Sequence, residues 1–204
     1  MKPAEYAELV HDPLPFLNHA DERIRWLAVS ACHVRISQPD VTEAVSEVLR
    51  SDPAARVRAE AAEALGSTPD RFSDLFAAAD DRDAIVREAV ATAFGEIADR
   101  HALPWLASAA RDDADKLVRE AAVAALGAIG DPAALPVLLE IVTSGGPQLR
   151  RRAVVALSVF DGPEVEAALR AAANDRNPMV REAAEMVVGR PTEWEPVELR
   201  SGDQ

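Results

Sequence analysis

A single cysteine, Cys32, in 204 residues leaves no partner for an intramolecular disulfide. Packing rather than cross-linking must hold the chain together, and a reducing, cytoplasmic setting is expected. Aromatic residues are scarce too, at 4%, and a core with few large rings suits alanine-rich helices packed at short distance. Lysine is limited to Lys2 and Lys116, and 22 basic residues stand against 35 acidic ones, a net charge of −13 and a pI near 4.7. Affinity for DNA or RNA comes mainly from neutralising phosphates with Lys and Arg, so this balance argues against a nucleic-acid partner. The same field favours a basic protein. No run approaches 18 uninterrupted apolar residues, and the opening MKPAEYAELVHDPLPF lacks the apolar stretch of a signal peptide, so no membrane segment is expected. What the chain does have is 49% hydrophobic content, ample for a folded core.

One pattern recurs along nearly the whole length: an aliphatic-Arg pair followed by small residues. Its copies read IRWLAVSAC from Ile24, VRAEAAEALG from Val57, VREAVATAFG from Val86, VREAAVAALG from Val118, LRRRAVVALS from Leu149 and VREAAEMVVG from Val180. The arginines Arg25, Arg58, Arg87, Arg119, Arg150 and Arg181 follow one another at 29 to 33 residues. Apolar or small residues at offsets 0, +4, +7 and +8 make one stripe of an α-helix, the second helix of each unit. Gly66, Gly95, Gly127 and Gly189 are expected to close four of these helices as left-handed C-caps. Amphipathic segments upstream, beginning near Val41, Asp70, Ala102, Ala133 and Pro163, supply the first helices. In the opening unit Pro13 and Pro15 are expected to split the leading helix, with residues 3 to 11 as an extra capping turn. The fold class is therefore all-α, an α-solenoid of about six stacked hairpins over residues 1–189, with repeats at 13–35, 40–66, 70–97, 101–130, 132–158 and 163–189. Residues 190–204, RPTEWEPVELRSGDQ, are expected to form a carboxyl-terminal tail or cap that covers the last hairpin with Trp194.

The pattern D-x5-R-x2-A/V-x2-A-L/F-G resembles the short HEAT-like repeat of phycobilin lyase subunits and of many bacterial scaffold proteins, over roughly residues 13 to 189. The resemblance implies an armadillo-type solenoid and leaves function open, because the superfamily hosts binding platforms, chaperone-like lyases and a few enzymes.

An acid stands six residues before the repeated arginine in four copies, Asp52, Asp81, Asp113 and Asp175, with His19 and Ser144 in the other two. Features copied into every repeat belong to the lattice that stacks them. Asp52, Arg58, Asp81, Arg87, Asp113, Arg119, Arg150, Asp175 and Arg181 are therefore read as a structural ladder, the acids capping helices and pairing with a neighbouring repeat's arginine. With ladder neighbours on both sides, Arg119 is expected to matter more than Arg25. The histidines His11, His19, His33 and His101 form no HExxH, HxH or His-Glu pair, so no metal and no cofactor are expected. Cys32 sits at +8, where a buried leucine is usual. Ser30 and His33 share a helix face without a visible acid partner. A groove of the alkylated-base glycosylase type would call on Trp26 and Trp105, but the acidic total opposes it.

The second helices should line the concave side, where the outward positions +2 and +6 vary from copy to copy. Trp26, Ser30, Glu63, Glu88, Thr92, Glu120, Arg151, Val155 and Glu182 are the candidate partner-binding residues. The turn edge, with DDRD at 80–83 and RDDADK at 111–116, is the other candidate surface. The chain reads as a monomeric, non-catalytic scaffold for another protein, a basic one. The alternatives are a lyase or chaperone-like subunit, and an immunity or antitoxin protein that neutralises a basic toxin.

Overall fold

The computed structural model describes residues 2–189; the proposed tail, with Trp194, lies outside them. The described residues form twelve α-helices and no strand: α1 (Pro3–His11), α2 (Glu22–Cys32), α3 (Pro39–Ser51), α4 (Ala55–Leu65), α5 (Phe72–Ala77), α6 (Ala84–Ile97), α7 (Leu103–Asp112), α8 (Lys116–Ile129), α9 (Leu135–Ser144), α10 (Pro147–Leu157), α11 (Pro163–Ala172) and α12 (Pro178–Val188). They pair in sequence as six hairpins, α1 with α2 through α11 with α12. Prolines open many of them, at a position whose amide has no intrahelical acceptor and is not missed. Four of the six second helices start on side-chain caps, Asp21, Asp83, Asp115 and Asn177, whose oxygens accept from the amide two residues on.

The second helices stack in one row, α2–α4–α6–α8–α10–α12, more intimately than the first helices do in theirs, so the stack curves with the second helices on its inner side. The stripe at 0, +4, +7 and +8 is what they bury: Val57, Ala61, Ala64 and Leu65 in α4, Val86, Val90, Ala93 and Phe94 in α6, Val118, Ala122, Ala125 and Leu126 in α8. Phe94 gathers the central aromatics, with Phe72 at 5.2 Å and Trp105 at 5.7 Å between ring centroids, and this compensates for the six-residue α5. Cys32 is fully buried, and burial pushes its thiol up to about 11, which suits a small core residue and not a nucleophile.

Two expectations need correction. Gly66, Gly95 and Gly127 are not left-handed caps: Gly66 is right-handed, Gly95 and Gly127 lie inside helices, and α6 and α8 end instead on Ala98 (φ 56°) and Gly130 (φ 65°). Gly95 and Gly127 are glycines because the next second helix passes too close for a side chain. A Cβ on Gly127 would lie 2.7 Å from both Cα and Cβ of Ala156, and one on Gly95 3.0 Å from Cα of Ala125. Of the four expected caps only Gly189 ends a helix with a positive φ, 77°, and its ψ of 157° puts it outside the left-handed helical region. The first hairpin also begins earlier than the 13–35 frame. Residues 3–11 are a complete helix packed on α2, and Pro13 and Pro15 sit in the 3-10 turn Leu14–Phe16 that follows it, where rigid φ angles are an asset.

Candidate functional site

Along one edge, arginine and aspartate join successive hairpins with the same geometry each time. Arg25 grips Asp52 through Nε and Nη2 at 2.7 and 2.9 Å, Arg58 grips Asp81 at 2.8 and 2.8 Å, Arg87 grips Asp113 at 2.7 and 2.9 Å, and Arg150 grips Asp175 at 2.8 and 2.7 Å. Each guanidinium turns its remaining Nη1 back to its own loop, as Arg58 does to the carbonyl of Asp52 at 2.8 Å and Arg181 to that of Asp175 at 2.8 Å. The acids do not cap the helices themselves. Their Oδ1 accepts from the amide two residues on, Ala54, Asp83, Asp115 or Asn177, which shapes the turn before the cap. In the first hairpin His19 Nδ1 takes that role toward Asp21. Hydrogen bonds from the paired arginines hold the Asp113 and Asp175 carboxyls below the usual range. At Asp81 burial pushes the carboxyl up, but the bonds from Arg58 and the Asp83 amide outweigh it.

Arg119 departs from the expectation. The turn between α9 and α10 has two residues, one fewer than those between α3 and α4 and between α7 and α8: Ser144 ends α9 with Oγ on the Glu140 carbonyl, and Gly145 O receives the Arg150 Nη1, as Asp52 O receives that of Arg58. A Cβ on Gly145 would meet the Ile141 carbonyl at 2.8 Å, so no carboxylate can stand there. Among the described residues Arg119 therefore bonds only the carbonyls of Asp113 and Ala114, and Arg25, expected to be the minor member, has the full pair.

The inner surface is built from side chains of the second helices that point away from the stacking stripe. Glu88, Thr92 and Glu120 line a groove of about 370 Å³ between α6 and α8, with Glu96, Leu117, Arg152 and an alanine floor. At the amino-terminal end Trp26, Ser30 and His33 of the first hairpin converge on Glu60 of α4, with His33 Nε2 at 3.4 Å and Arg56 over the Trp26 ring at 6.0 Å. Ser30 and His33 thus do stand near an acid, but both face the same carboxylate, which makes a polar cluster between two repeats and not a relay. Burial pushes Glu60 up, yet these bonds hold it below its usual value, while its bond raises His33. At the other end the surface carries Arg151, Val155 and Glu182. Trp105 lies on α7 in the outer row, bonded to Asp80 at 3.0 Å, so it shares no groove with Trp26. The sequence reading missed Glu60, Glu96, Leu117 and Arg152. They follow from the same helical period, since −1, +3 and +10 fall on the face of +2 and +6, whereas Ala59 at +2 is buried.

The acids of the two candidate surfaces differ in what they already hold. On the turn edge Asp52, Asp81, Asp113 and Asp175 are gripped by arginines, Asp83 and Asp115 cap helices, and Asp80 accepts from Trp105. On the inner face Glu63, Glu88 and Glu96 have no ion pair among the described residues. Burial pushes Glu88 up, reinforced by Asp115 and Glu120, and burial likewise pushes Glu63 up, reinforced by Glu60. At pH 7, Glu88→Gln is accordingly expected to be at least as stable as the natural protein. A carboxyl whose folded pKa is raised stabilises fully below the unfolded value of about 4.3 and loses that contribution as pH rises through the folded value. The advantage of the glutamine should therefore vanish on acidification, and thermal melts at neutral pH and at about pH 4 check the sign.

Hairpins stacked in two rows and riveted by repeated arginine–aspartate pairs define an α-solenoid. The HEAT-repeat family profile matches residues 6–71 and 72–158, and the chain belongs to that family. Its fold is similar to that of a designed armadillo repeat protein solved in complex with the peptide (KR)4, with a TM-score of 0.63 and 17% identity over 88% of this chain and 98% of that one. It is also similar to the complex of CpcE and CpcF of phycocyanin lyase from a Nostoc species, with a TM-score of 0.66 and 21% identity over 86% of this chain and 74% of that one. The Escherichia coli protein YibA gives 0.64 and 19%, over 89% and 71%. No curated protein matches the chain in sequence.

Proposed function

We propose that this protein is a non-catalytic scaffold whose inner face holds a positively charged, extended segment of a partner protein. The observation that carries the reading is the row of inner-face carboxylates, Glu63, Glu88 and Glu96, without an ion pair among the described residues, beside an edge most of whose acids are already engaged. Burial and neighbouring acids push the Glu63 and Glu88 carboxyls up, so these anions are destabilised until a cation arrives and a basic ligand gains from meeting them. The (KR)4 complex of the designed armadillo protein supports it, as a solenoid of similar fold that takes a basic peptide. A basic toxin would be one partner of this kind. The phycocyanin lyase subunits share the fold at 21% identity, which is too remote to carry an activity across.

A photo-crosslinking residue placed at Thr92 or Ala124 of the inner face, and at Ser108 or Ala167 of the outer row, tests the proposal in the native host. The same basic protein should be captured from both inner positions and from neither outer one. Capture from the outer positions alone would move the binding surface to the other side of the solenoid.

A further inference from the structure

The inner face changes character along its length. Over α4, α6 and α8 it presents Glu63, Glu88, Glu96 and Glu120. Over α10 and α12 the +2 positions stay charged, as Arg151 and Glu182, but the +6 positions are apolar, Val155 at 52% exposed and Met186 at 86%, and Val159, in the turn after α10, adds a side chain 59% exposed. These residues belong together, because Val155 and Met186 occupy the same offset of adjacent repeats, and α10 packs directly on α12. One position of the same face, Gln148, already reaches across to Met179 on the next helix, with Nε2 3.9 Å from Sδ. Aliphatic and thioether side chains this open to water on the inside of a solenoid form an adaptable apolar contact. Between the two zones stands Arg152, whose Nε lies 3.8 Å from Glu120, so the acidic zone ends on a cation that repels a basic ligand from going further.

We infer that the ligand is bipartite, a basic stretch seated over α4 to α8 followed by an apolar side chain seated on Val155 and Met186. The inference rests on the scaffold reading above and adds the order of the ligand's chemistry. Helices packed side by side step about 8–10 Å, so two steps from α4 to α8 take about 16–20 Å, and two more reach α12. An extended chain covers this at roughly 3.3–3.6 Å per residue. The basic stretch is thus about five or six residues, and the apolar group lies within about six residues of its end. The stems of lysine or arginine can run along the alanine floor of the groove, Ala121 and Ala124, while their charges meet Glu88 and Glu120.

Fluorescence anisotropy with labelled peptides and the full chain decides it, using KRKRKR, KRKRKRGSLL and LLSGKRKRKR. All three should bind, with affinity falling as salt rises, and the double variant Glu88→Gln, Glu120→Gln should weaken each about tenfold. At least one leucine-bearing order should bind roughly tenfold tighter than KRKRKR, the size expected from covering a leucine. That gain should disappear in Val155→Ser, Met186→Ser, whose affinity for KRKRKR stays within about twofold of the natural protein. These exposed changes should leave the melting temperature in place, which circular dichroism verifies. If neither order gains, or the gain survives the serine variant, the bipartite inference falls while the scaffold reading stands. If no basic peptide binds, or binding ignores the glutamine variant, the basic half falls. Inner-face crosslinking to a partner that is not basic would then keep a scaffold of different specificity. If light scattering shows a dimer that the serine variant dissociates, a second copy occupies the patch and the inference is overturned.

Discussion

Arg58→Ala should lower the stability of the chain by about 3–5 kcal/mol, the loss expected when one member of a buried, hydrogen-bonded ion pair is removed. Arg58 is 6% exposed, and its guanidinium closes two bonds on Asp81 and two on the carbonyls of Asp52 and Pro53. Alanine leaves the Asp81 carboxylate without its cation and two loop carbonyls without their donor, each a desolvated group that water reaches poorly. Arg150, 3% exposed and paired with Asp175, should behave the same way. Arg119 is the internal control: its alanine variant loses only bonds to backbone carbonyls, worth roughly 1 kcal/mol. Urea denaturation of the three variants separates the cases. Equal midpoints for Arg58→Ala and Arg119→Ala would mean that the aspartate pairing contributes nothing beyond the loop bonds.

Gly127→Val should lose about 3 kcal/mol, although glycine inside a helix is ordinarily a poor residue that alanine improves by about 1 kcal/mol. The reason is the 2.7 Å separation between a Cβ at 127 and the Cα and Cβ of Ala156. Neither of those atoms can move without shifting α10 as a whole, and a branched side chain adds a second clash. Gly66→Ala gives the contrast: its Cβ would press on the carboxylate of Glu96, the free end of a flexible side chain, with the Ala93 backbone at 3.2 Å. That variant should be close to neutral, since the helix gain offsets a small adjustment. A thermal melt of each decides the point, and a Gly127→Val protein as stable as Gly66→Ala would show that neighbouring second helices are free to slide.

The arginine positions, the helix stripe and the solenoid were legible in the sequence because each is local and repeats six times. The glycines were misread because a left-handed cap and a close approach demand the same residue. The alanine that distinguishes them, Ala156 for Gly127, lies in the next repeat. The shortened turn at Ser144 and Gly145 stayed hidden since the arginine spacing across it is as regular as any other, and only the hydrogen bond of Arg150 to Gly145 reveals the shift. The first helix was read only as a capping turn, because Pro13 and Pro15 mark a break that follows it and does not split it. On the inner face Glu88, Thr92 and Glu120 were found from two offsets. Glu60 was not, because its partners His33, Ser30 and Trp26 belong to the preceding repeat.

Because every linking arginine reaches forward to the aspartate of the following hairpin, a unit carries one half of the coupling at its front and the other half at its back. Its edges are therefore interchangeable. A hairpin with Asp and Arg six residues apart can be spliced in or lost at the boundaries held by Arg25, Arg58, Arg87 and Arg150, and the pairs on either side re-form with the new neighbour. The boundary after Arg119 holds no such pair, so a hairpin could enter or leave there without severing one. The opening unit has His19 in place of the acid and so offers no such carboxylate. Gene duplication can thus lengthen or shorten this protein in whole units while the acidic and apolar zones of its inner face are shuffled into new orders.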